Sequence, residues 1–450
     1  MSDRIEALQT AFMDEIIPGH DGETEFLRAV ADVARDVLTV EKAHSTYTDA
    51  RVLARLCEAD RIIAFRIVWR DDRGAVQINR GWRVQHSNLL GPYKGGLRWV
   101  PGLTRSVLKF LAFEQAFKNA LTGLPLGAAK GGADFDPAGR SEAEIERFAH
   151  AFMAELAAHL GPDRDVPAGD IGVGARELGF MIRAWMQQAR VWGGAITGKP
   201  LALGGSPLRN EATGFGLIHF AEAMLNEAGE EFEGKRIAIS GRGNVAEHAA
   251  RKAILRGAKV ISLSGRKGVW HAPDGFTHNA LDWLLETGGD AAFTPPQALG
   301  VEFRAGHKPW ALGADVALPC ATQNELALDD AKALADGGCR FLAEGANMPL
   351  TGDAQAHLTR AGVAQAPGKA ANAGGVAVSG LEMQQNATFD RWSRDTLDHR
   401  LKAIMCDLHA RLKAERAQCC TATGGIDYRR AANVAAYRKL ADAMVAGGVI

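Results

Sequence analysis

At 450 residues the chain exceeds what one ordinary core encloses, so two domains of about 200 residues each are expected. Hydrophobic residues at 47% and charged residues at 23% describe an ordinary soluble globular protein. A formal net charge of −1 gives no general attraction to nucleic acid or to an anionic membrane, so neither is an expected partner and function must reside in local sites.

The first thirty residues, MSDRIEALQT onward, mix acids and bases without an apolar stretch, so no signal peptide is expected. Residues 1–60 read as helical, with Ile5, Leu8, Phe12 and Ile16 near a 3.6-residue period. Two alternating runs follow, Ile62–Trp69 and Val76–Val84, separated by Asp71-Asp72-Arg73-Gly74. That pattern is a hairpin, so the first domain starts with a partly antiparallel sheet. A glycine-punctuated loop, Gly91-Pro-Tyr-Lys-Gly-Gly, precedes an amphipathic helix from about Thr104 to Thr122. A second glycine-rich loop carries Lys130, and helices are expected near Ser141–Leu160 and Ala175–Gln188. The glycine-rich segment Gly193–Ser206 breaks any helix and marks the approach to a second domain.

From Glu211 the pattern changes to alternating helix and strand: helix Glu211–Ala228, strand Arg236–Ser240, helix Asn244–Arg256, strand Ala258–Ser264. Short apolar strands recur at Asp315–Pro319, Arg340–Ala343 and Val363–Ala366. This alternation implies a parallel sheet covered by helices. The expected fold is therefore α/β in two domains: a mixed-sheet substrate-binding and catalytic domain over 1–205 and a Rossmann-type domain over 206–380. Helices over 381–450 are expected to link back to the first domain. No apolar run approaches the ~18 residues needed to span a bilayer. Cys57, Cys320, Cys339, Cys406, Cys419 and Cys420 form no C-x-x-C pair and have no histidines at ligand spacing, so no metal is expected. They read as reduced thiols, and the cytoplasm is the expected location. The adjacent Cys419 and Cys420 have no evident role.

Arg236-Ile-Ala-Ile-Ser240-Gly241-Arg-Gly243-Asn-Val-Ala246 is a G-x-G-x-x-A fingerprint placed after a strand and at the opening of a helix. The first glycine permits a tight turn and the second lets backbone approach a pyrophosphate; the small Ala246 lets helix pack on strand. The helix N-terminus offers free N–H groups to phosphate. Taken without its context the pattern is equally a structural strand–turn–helix corner. Ser240, Gly241, Gly243, Asn244 and Val245 are the expected cofactor contacts of this loop. An NAD site usually carries Asp or Glu at the end of the second strand. Here that strand runs into Ser264-Gly265-Arg266-Lys267, with no acid before Asp274. A carboxylate would repel a 2′-phosphate, whereas Ser264, Arg266 and Lys267 would bind it, so NADP is the expected cofactor. The alternative is a solvated basic turn.

Three lysines mark the first domain: Lys94, Lys118 and Lys130, two of them followed by paired glycines that remove bulk where a substrate could lie. Gln115 and Lys118 share a helix face with Leu111 and are expected to point into a cleft. The ordinary alternatives are a Lys118–Glu114 helix pair and two loop cations. A phosphate-binding P-loop around Lys130 is excluded, because Gly131 stands where Ser or Thr must hold Mg²⁺. Downstream, Asp165-Val-Pro-Ala-Gly169-Asp170-Ile-Gly-Val-Gly174 puts Asp170 on a tight small-residue loop, as a reactive carboxylate or as a turn or cap. Clustered cations favour a dicarboxylate ligand.

The motifs GPYKGG, KFLAFEQAFKNAL, KGGADFDP, DVPAGDIGVG, GGSPLRNEATGFG, SGRGNVAEH, LPCATQNEL, AEGANMP and PGKAANAGGVAVSGLEMQQN run over essentially the whole chain. Together they closely resemble the small-subunit hexameric glutamate dehydrogenases of the Glu/Leu/Phe/Val dehydrogenase family. The resemblance implies reversible conversion of L-glutamate to 2-oxoglutarate and ammonia, NADP as cofactor, and a homohexamer built through the first domain. It implies that Lys94 and Ser379 bind the side-chain carboxylate, that Gln115 and Lys118 hold the amino-acid end, and that Gly169 adds a backbone contact. Lys130 is the implied catalytic lysine and Asp170 the implied catalytic aspartate. Thr213, Asn244, Ala321, Asn347 and Asn372 are the implied cofactor contacts beyond the fingerprint itself. One departure is Gly127-Ala-Ala-Lys-Gly-Gly, where the family usually has GGGKGG; the two added methyl groups are expected to narrow the loop. The competing readings are a branched-chain or aromatic amino-acid dehydrogenase, whose pocket carries an apolar residue at the Lys94 position, and a catalytically silent NADP-binding protein.

Overall fold

The computed structural model describes residues 2–419 and 427–449, so Cys420 lies outside the described residues. In chain order the helices and strands are α1 Ser2–Ile16, α2 Thr24–Ala43, α3 Ser45–Asp49, α4 Val52–Leu56, β1 Arg61–Arg70, β2 Val76–Ser87 and β3 Tyr93–Trp99. Then follow α5 Arg105–Leu121, β4 Ala128–Ala133, α6 Glu142–Leu156, β5 Asp165–Gly169, α7 Ala175–Ala189, α8 Ala212–Glu227 and β6 Arg236–Ile239. The next are α9 Asn244–Leu255, β7 Lys259–Gly265, β8 Gly268–His271, α10 His278–Glu286, β9 Glu302–Ala305, β10 Val316–Leu318 and α11 Leu328–Asp336. The chain ends with β11 Phe341–Ala343, α12 Gly352–Arg360, β12 Ala364–Ala366, α13 Gly368–Ala371, α14 Gly374–Thr388, α15 Arg394–Cys419 and α16 Tyr428–Gly447. Two compact units result: residues 1–209 with 378–394 and 433–450, and residues 210–377 with 395–432.

The first unit is built on a five-stranded mixed sheet of order β1-β2-β4-β3-β5. β1 and β2 pair antiparallel from Arg61↔Gln85 to Arg70↔Val76. Asp71 closes their turn by accepting from the N–H groups of Arg73 at 3.0 Å and Ala75 at 2.9 Å. β4 joins β2 antiparallel, while β3 runs parallel to both β4 and β5. One core cluster brings Trp69 and Trp99 against Phe135 and Phe148, the last two rings stacked at 3.7 Å. A separate cluster joins Val84 of β2 to Leu108 and Ala112 of α5. α6 starts with a capping box in which Ser141 and Glu144 each satisfy the other's backbone N–H.

The two Lys-Gly-Gly segments and the stretch before Asp170, all expected as loops, are strands at the middle and edge of this sheet. Glycine is a poor strand former because it offers no side chain to pack, which is why the loop reading was natural. Here close packing of strands demands it: a Cβ on Gly95 would lie 1.7 Å from the carbonyl oxygen of Ala129. Ala128 and Ala129 are likewise buried strand residues of β4, so their methyl groups pack inside the sheet and do not narrow a loop.

The second unit carries a seven-stranded sheet of order β12-β11-β10-β6-β7-β8-β9. The first five run parallel, with the strand order reversing between β10 and β7 around β6. β8 and β9 are antiparallel additions that the expected all-parallel sheet lacked. Arg266 and Lys267 form the two-residue turn between Gly265 and Gly268, and four-residue strands are too short to show a period. Within this unit, Asp398 of α15 bonds His219 of α8 at 2.8 Å and Lys252 of α9 at 2.5 Å. The segment 381–450, expected as one returning block, is thus divided between the units by its contacts. Among the described residues no helix is long and apolar enough to cross a membrane, and no group of histidine, cysteine or carboxylate side chains could hold a metal ion.

The fully buried Arg83 of β2 is bidentate to Asp165 of β5, at 3.0 and 2.5 Å, and also donates to the Gly95 carbonyl at 3.0 Å. Gln85 adds a bond to Asp165 at 2.7 Å. Removing one partner strands the other charge without solvent, at a cost of about 3–5 kcal/mol. Asp165→Ala should lower unfolding stability by that order in urea denaturation, whereas an exposed control such as Asp72→Ala should change it little; equal effects would show that the pair does not tie the sheet together.

Candidate functional site

The parallel order β4-β3-β5 explains how the expected catalytic residues of the first unit meet. Register pairs Leu97 of β3 with both Gly131 of β4 and Gly169 of β5, so Lys130 and Asp170 emerge on either side of the central strand. They form an ion pair and hydrogen bond across it. Gly96 of β3 leaves room for that contact: a Cβ there would stand 2.8 Å from the Gly169 carbonyl oxygen, 2.9 Å from Asp170 Cβ and 3.3 Å from Lys130 Nζ. Gly169, the last residue of β5, thereby lines the same spot with its backbone.

Side chains alternate along a strand, so Lys94, Gly96 and Arg98 share one face of β3. Lys94 is 2% exposed and, among the described residues, its ammonium has no ion-pair or hydrogen-bond partner. Burial pushes Lys94 well below the ordinary lysine range, Arg209 and Arg83 add to this, and Glu382 and Asp165 only partly offset it. Lys118, half-buried on α5, is lowered to about 8 by burial and by the neighbouring Lys130, with Asp170 opposing. Asp170 is held at about 2: burial pushes it up, but Lys130 and Arg98 outweigh that. Gln115 is buried one turn before Lys118 and donates to Asn119 at 2.6 Å. Asn119 in turn donates to the carbonyls of Lys94 at 3.1 Å and Gly127 at 2.5 Å, fixing α5 against the strands. Ser379 is buried on α14, one turn before Glu382 on the same helix face.

Two residues of this cluster were not singled out from the sequence. Arg98 places a guanidinium nitrogen 3.4 and 3.5 Å from the two Asp170 oxygens. Its signal is the alternation Lys94-Gly-Gly96-Leu-Arg98, which has meaning only when the segment is a strand. Arg209 is placed by burial next to both Lys94 and Lys118, and its Nε has no hydrogen-bond partner. Glu382, the carboxylate nearest to offsetting Arg209, is already committed to Lys199 at 2.8 Å and to the Gly198 N–H at 2.9 Å. The result is a cluster with an excess of desolvated positive charge beside a lysine–aspartate pair. Such a cluster suits the binding of carboxylates and the movement of protons.

In the second unit the fingerprint folds as expected into strand β6, turn and helix α9. Gly241 has φ +82, a left-handed conformation that favours glycine. A Cβ on Gly243 would meet nothing within 4 Å, so the backbone there is open to a phosphate group, and no carboxylate stands at the end of β7. These features fit a dinucleotide. Gly243 and Asn244 are exposed, Val245 and Thr213 half-buried, and Ala321 exposed at the end of β10. Asn372 donates to Asn347 at 3.0 Å and to the Gly345 carbonyl at 3.1 Å, joining the C-terminal end of α13 to the loop after β11. Ser264 accepts from the Gly241 N–H at 3.0 Å, so the end of β7 braces the fingerprint turn. Ser240 is different from the expectation: it is 1% exposed and its oxygen accepts from the Cys320 N–H at 2.8 Å, so its side chain ties β6 to the loop after β10. Arg266 and Lys267 are exposed at the β7–β8 turn.

Asp170 should stay ionised to unusually low pH. Its stabilising contribution is complete above the ordinary carboxylate value of about 3.9 and is lost as pH falls through about 2. Lys130→Ala removes the main lowering charge and leaves burial, so an NMR titration of labelled Asp170 should show its midpoint move upward. An unmoved midpoint would mean that Lys130 does not control this carboxylate.

The sequence model described as Glutamate/Leucine/Phenylalanine/Valine dehydrogenase matches residues 204–448, and the Glu/Leu/Phe/Val dehydrogenase dimerisation domain matches residues 59–187. An NADP-specific glutamate dehydrogenase of Psychrobacter sp. is 48% identical over 431 residues, covering 95% of this chain and 96% of that protein. An NAD-specific glutamate dehydrogenase of Bacteroides fragilis is 47% identical over 442 residues, covering 97% and 99%. Among solved structures, Plasmodium falciparum glutamate dehydrogenase superposes with a TM-score of 0.95 at 38% identity, covering 100% of this chain and 96% of that one. A hetero-hexameric glutamate dehydrogenase from Thermus thermophilus superposes with a TM-score of 0.79 at 29% identity, covering 89% and 92%. With the site geometry and these matches in hand, the chain belongs to the Glu/Leu/Phe/Val dehydrogenase family.

Proposed function

We propose that the chain catalyses the reversible NADP-dependent oxidative deamination of L-glutamate to 2-oxoglutarate and ammonia, run in the cell toward glutamate synthesis. One observation carries this reading: desolvated Lys94 and Lys118 both lie near Arg209, and Lys118 lies beside the Lys130–Asp170 pair, with Glu382 already committed to Lys199. A ligand with two carboxylates supplies the missing negative charge at both ends. An apolar side chain against buried Lys94 would leave that cation uncompensated, at a cost of several kcal/mol, so a branched-chain or aromatic substrate is disfavoured. The intact Lys130–Asp170 pair speaks against a silent binding protein.

In this reading Lys94 and Ser379 hold the side-chain carboxylate, Lys118 the main-chain carboxylate, and Gln115 and the Gly169 carbonyl the amino-acid end. When bound, the cofactor would provide the redox chemistry, with NADP⁺ accepting a hydride from the substrate α-carbon and NADPH returning it in the reverse direction. Lys130 orients the water that attacks the imine carbon, and the ionised Asp170 beside it takes up the proton that this water releases. Asp170 exchanges protons with the substrate nitrogen. The relatives include both NADP-specific and NAD-specific proteins at nearly equal identity, so the cofactor assignment rests on local residues. Gly265, Arg266 and Lys267 provide cations and no acid where a 2′-phosphate would lie, with Ser264 beside them. Thr213, Gly241, Gly243, Asn244, Val245, Ala321, Asn347 and Asn372 complete the proposed cofactor contacts; Ser240 supports them from below. A cytoplasmic homohexamer, with the first unit as the associating domain, completes the proposal.

Absorbance at 340 nm with ammonia, NADPH and a panel of 2-oxo acids tests the substrate: turnover should be confined largely to 2-oxoglutarate, and preference for a branched-chain oxo acid would overturn the assignment. Lys130→Ala should cut kcat by about a thousandfold or more with substrate binding largely kept; an active variant would remove Lys130 from the chemistry. Lys118 carries its charge below about pH 8 and loses it above, so KM for 2-oxoglutarate should rise as pH climbs through that value. Lys118→Arg should abolish that rise, because a guanidinium stays charged.

A further inference from the structure

The 2′-phosphate contacts inferred from sequence, Ser264, Arg266 and Lys267, lie at the end of β7 and in the β7–β8 turn, but the geometry points to a different residue as the main reader of that phosphate. Arg242 stands between the two fingerprint glycines. Its guanidinium carbon lies 5.3 Å from the centre of the Trp270 indole, and Nη2 donates to the Thr287 carbonyl at 3.3 Å. Trp270 is itself fixed: it is 2% exposed, and its ring nitrogen donates to the Ala292 carbonyl at 2.6 Å. The indole stacks at 6.0 Å on Phe293, over which Lys267 holds its ammonium at 4.8 Å. Two cations are thus held over two adjoining aromatic rings beside the end of β7.

That position has a defined meaning in a Rossmann-type unit. The adenosine ribose lies between the fingerprint turn and the end of the second strand. Here those two segments are joined directly, because Gly241 donates to Ser264 at 3.0 Å and Ser264 donates back to the Gly241 carbonyl at 3.2 Å. A Cβ on Gly265 would lie 3.2 Å from the same Trp270 ring, so an acid at this position would share the ring with Arg242 and neutralise it. Glycine leaves the guanidinium uncompensated.

Resting on the NADP reading above, we propose that Arg242 binds the ribose 2′-phosphate and is the principal determinant of phosphate-over-hydroxyl discrimination. Its planar fork suits a phosphate, and the indole and the Thr287 carbonyl orient it before the ligand arrives. Arg266 is exposed at the tip of the turn and, among the described residues, has no hydrogen bond or ion pair to orient it. It must give up more side-chain freedom for the same contact, and contributes less.

Calorimetric titration with NADP⁺, NAD⁺ and 2′-AMP separates the possibilities without turnover. Arg242→Ala and Arg242→Gln should each raise the Kd for NADP⁺ and 2′-AMP by about tenfold or more, the loss of one charge-assisted contact. The Kd for NAD⁺ should stay unchanged, and Arg266→Ala should have the smaller effect. Equal weakening of NADP⁺ and NAD⁺ would assign Arg242 a merely structural role and overturn the proposal, as would a larger loss in Arg266→Ala. A wild-type chain that does not prefer NADP⁺ would overturn the cofactor reading and this proposal together; a preference that survives in both Arg242 variants would overturn this proposal alone.

Discussion

The geometry of the substrate unit depends on one buried ion pair. Arg83 and Asp165 are both sealed from solvent, and together they touch three strands: β2 supplies the arginine, β5 the aspartate, and β3 the Gly95 carbonyl. Asp165 opens β5, five residues before Asp170, so its fixed position sets the depth at which Asp170 leaves the sheet. Gly95 precedes the residue over which Lys130 and Asp170 meet. A buried pair is weak evidence for net stability, since apolar packing can do as well. Its directional bonds instead specify register, and a one-residue slip would turn every side chain of a strand to the opposite face. Lys94 and Arg98 would then point away from the pocket.

Around that frame the unit gathers more positive charge than it neutralises. Lys94, Lys118 and Arg209 are each pulled toward the neutral form by burial, while Asp170 is held ionised by the cations beside it. Pushing the proton affinities of neighbouring groups in opposite directions is how one pocket separates acid and base tasks. Holding desolvated cations together is costly, and an anionic ligand offsets that cost. The Glu382–Lys199–Asn386 network shows how this is kept in place: Glu382, a carboxylate that acts on both Lys94 and Arg209, is occupied elsewhere.

The nucleotide unit solves a simpler problem with shorter elements. Strands β10, β11 and β12 have three residues each; Ala321 and Asn347 follow β10 and β11 in loops, and Asn372 caps the short helix α13 that follows β12. The strand order reverses around β6, and a crevice at such a reversal is where doubly wound sheets bind ligands. The added antiparallel strands β8 and β9 bring Trp270 and Phe303 beside the end of β7. An edge addition of this kind turns a general dinucleotide fold into one with a particular ribose environment.

By itself the sequence determined the class of fold, the hairpin Arg61–Ser87, the helix carrying Gln115 and Lys118, and the fingerprint turn at Gly241. Each is written in local terms, as periodicity, turn chemistry or glycine spacing, which a linear reading detects. The resemblance gave Lys94, Lys130 and Asp170, already marked by their setting, their separate roles. What only the tertiary structure decided was that the Lys-Gly-Gly segments are strands, because the need for glycine there arises from a neighbouring backbone that is distant in sequence. From that followed Arg98, sharing a face with Lys94, and Arg209, brought close by a segment over a hundred positions away. Ser240 and Arg242 exchanged prominence for the same reason: whether a side chain faces ligand or protein depends on what packs against it, and the Cys320 N–H comes from the loop after β10 and the Trp270 ring from β8.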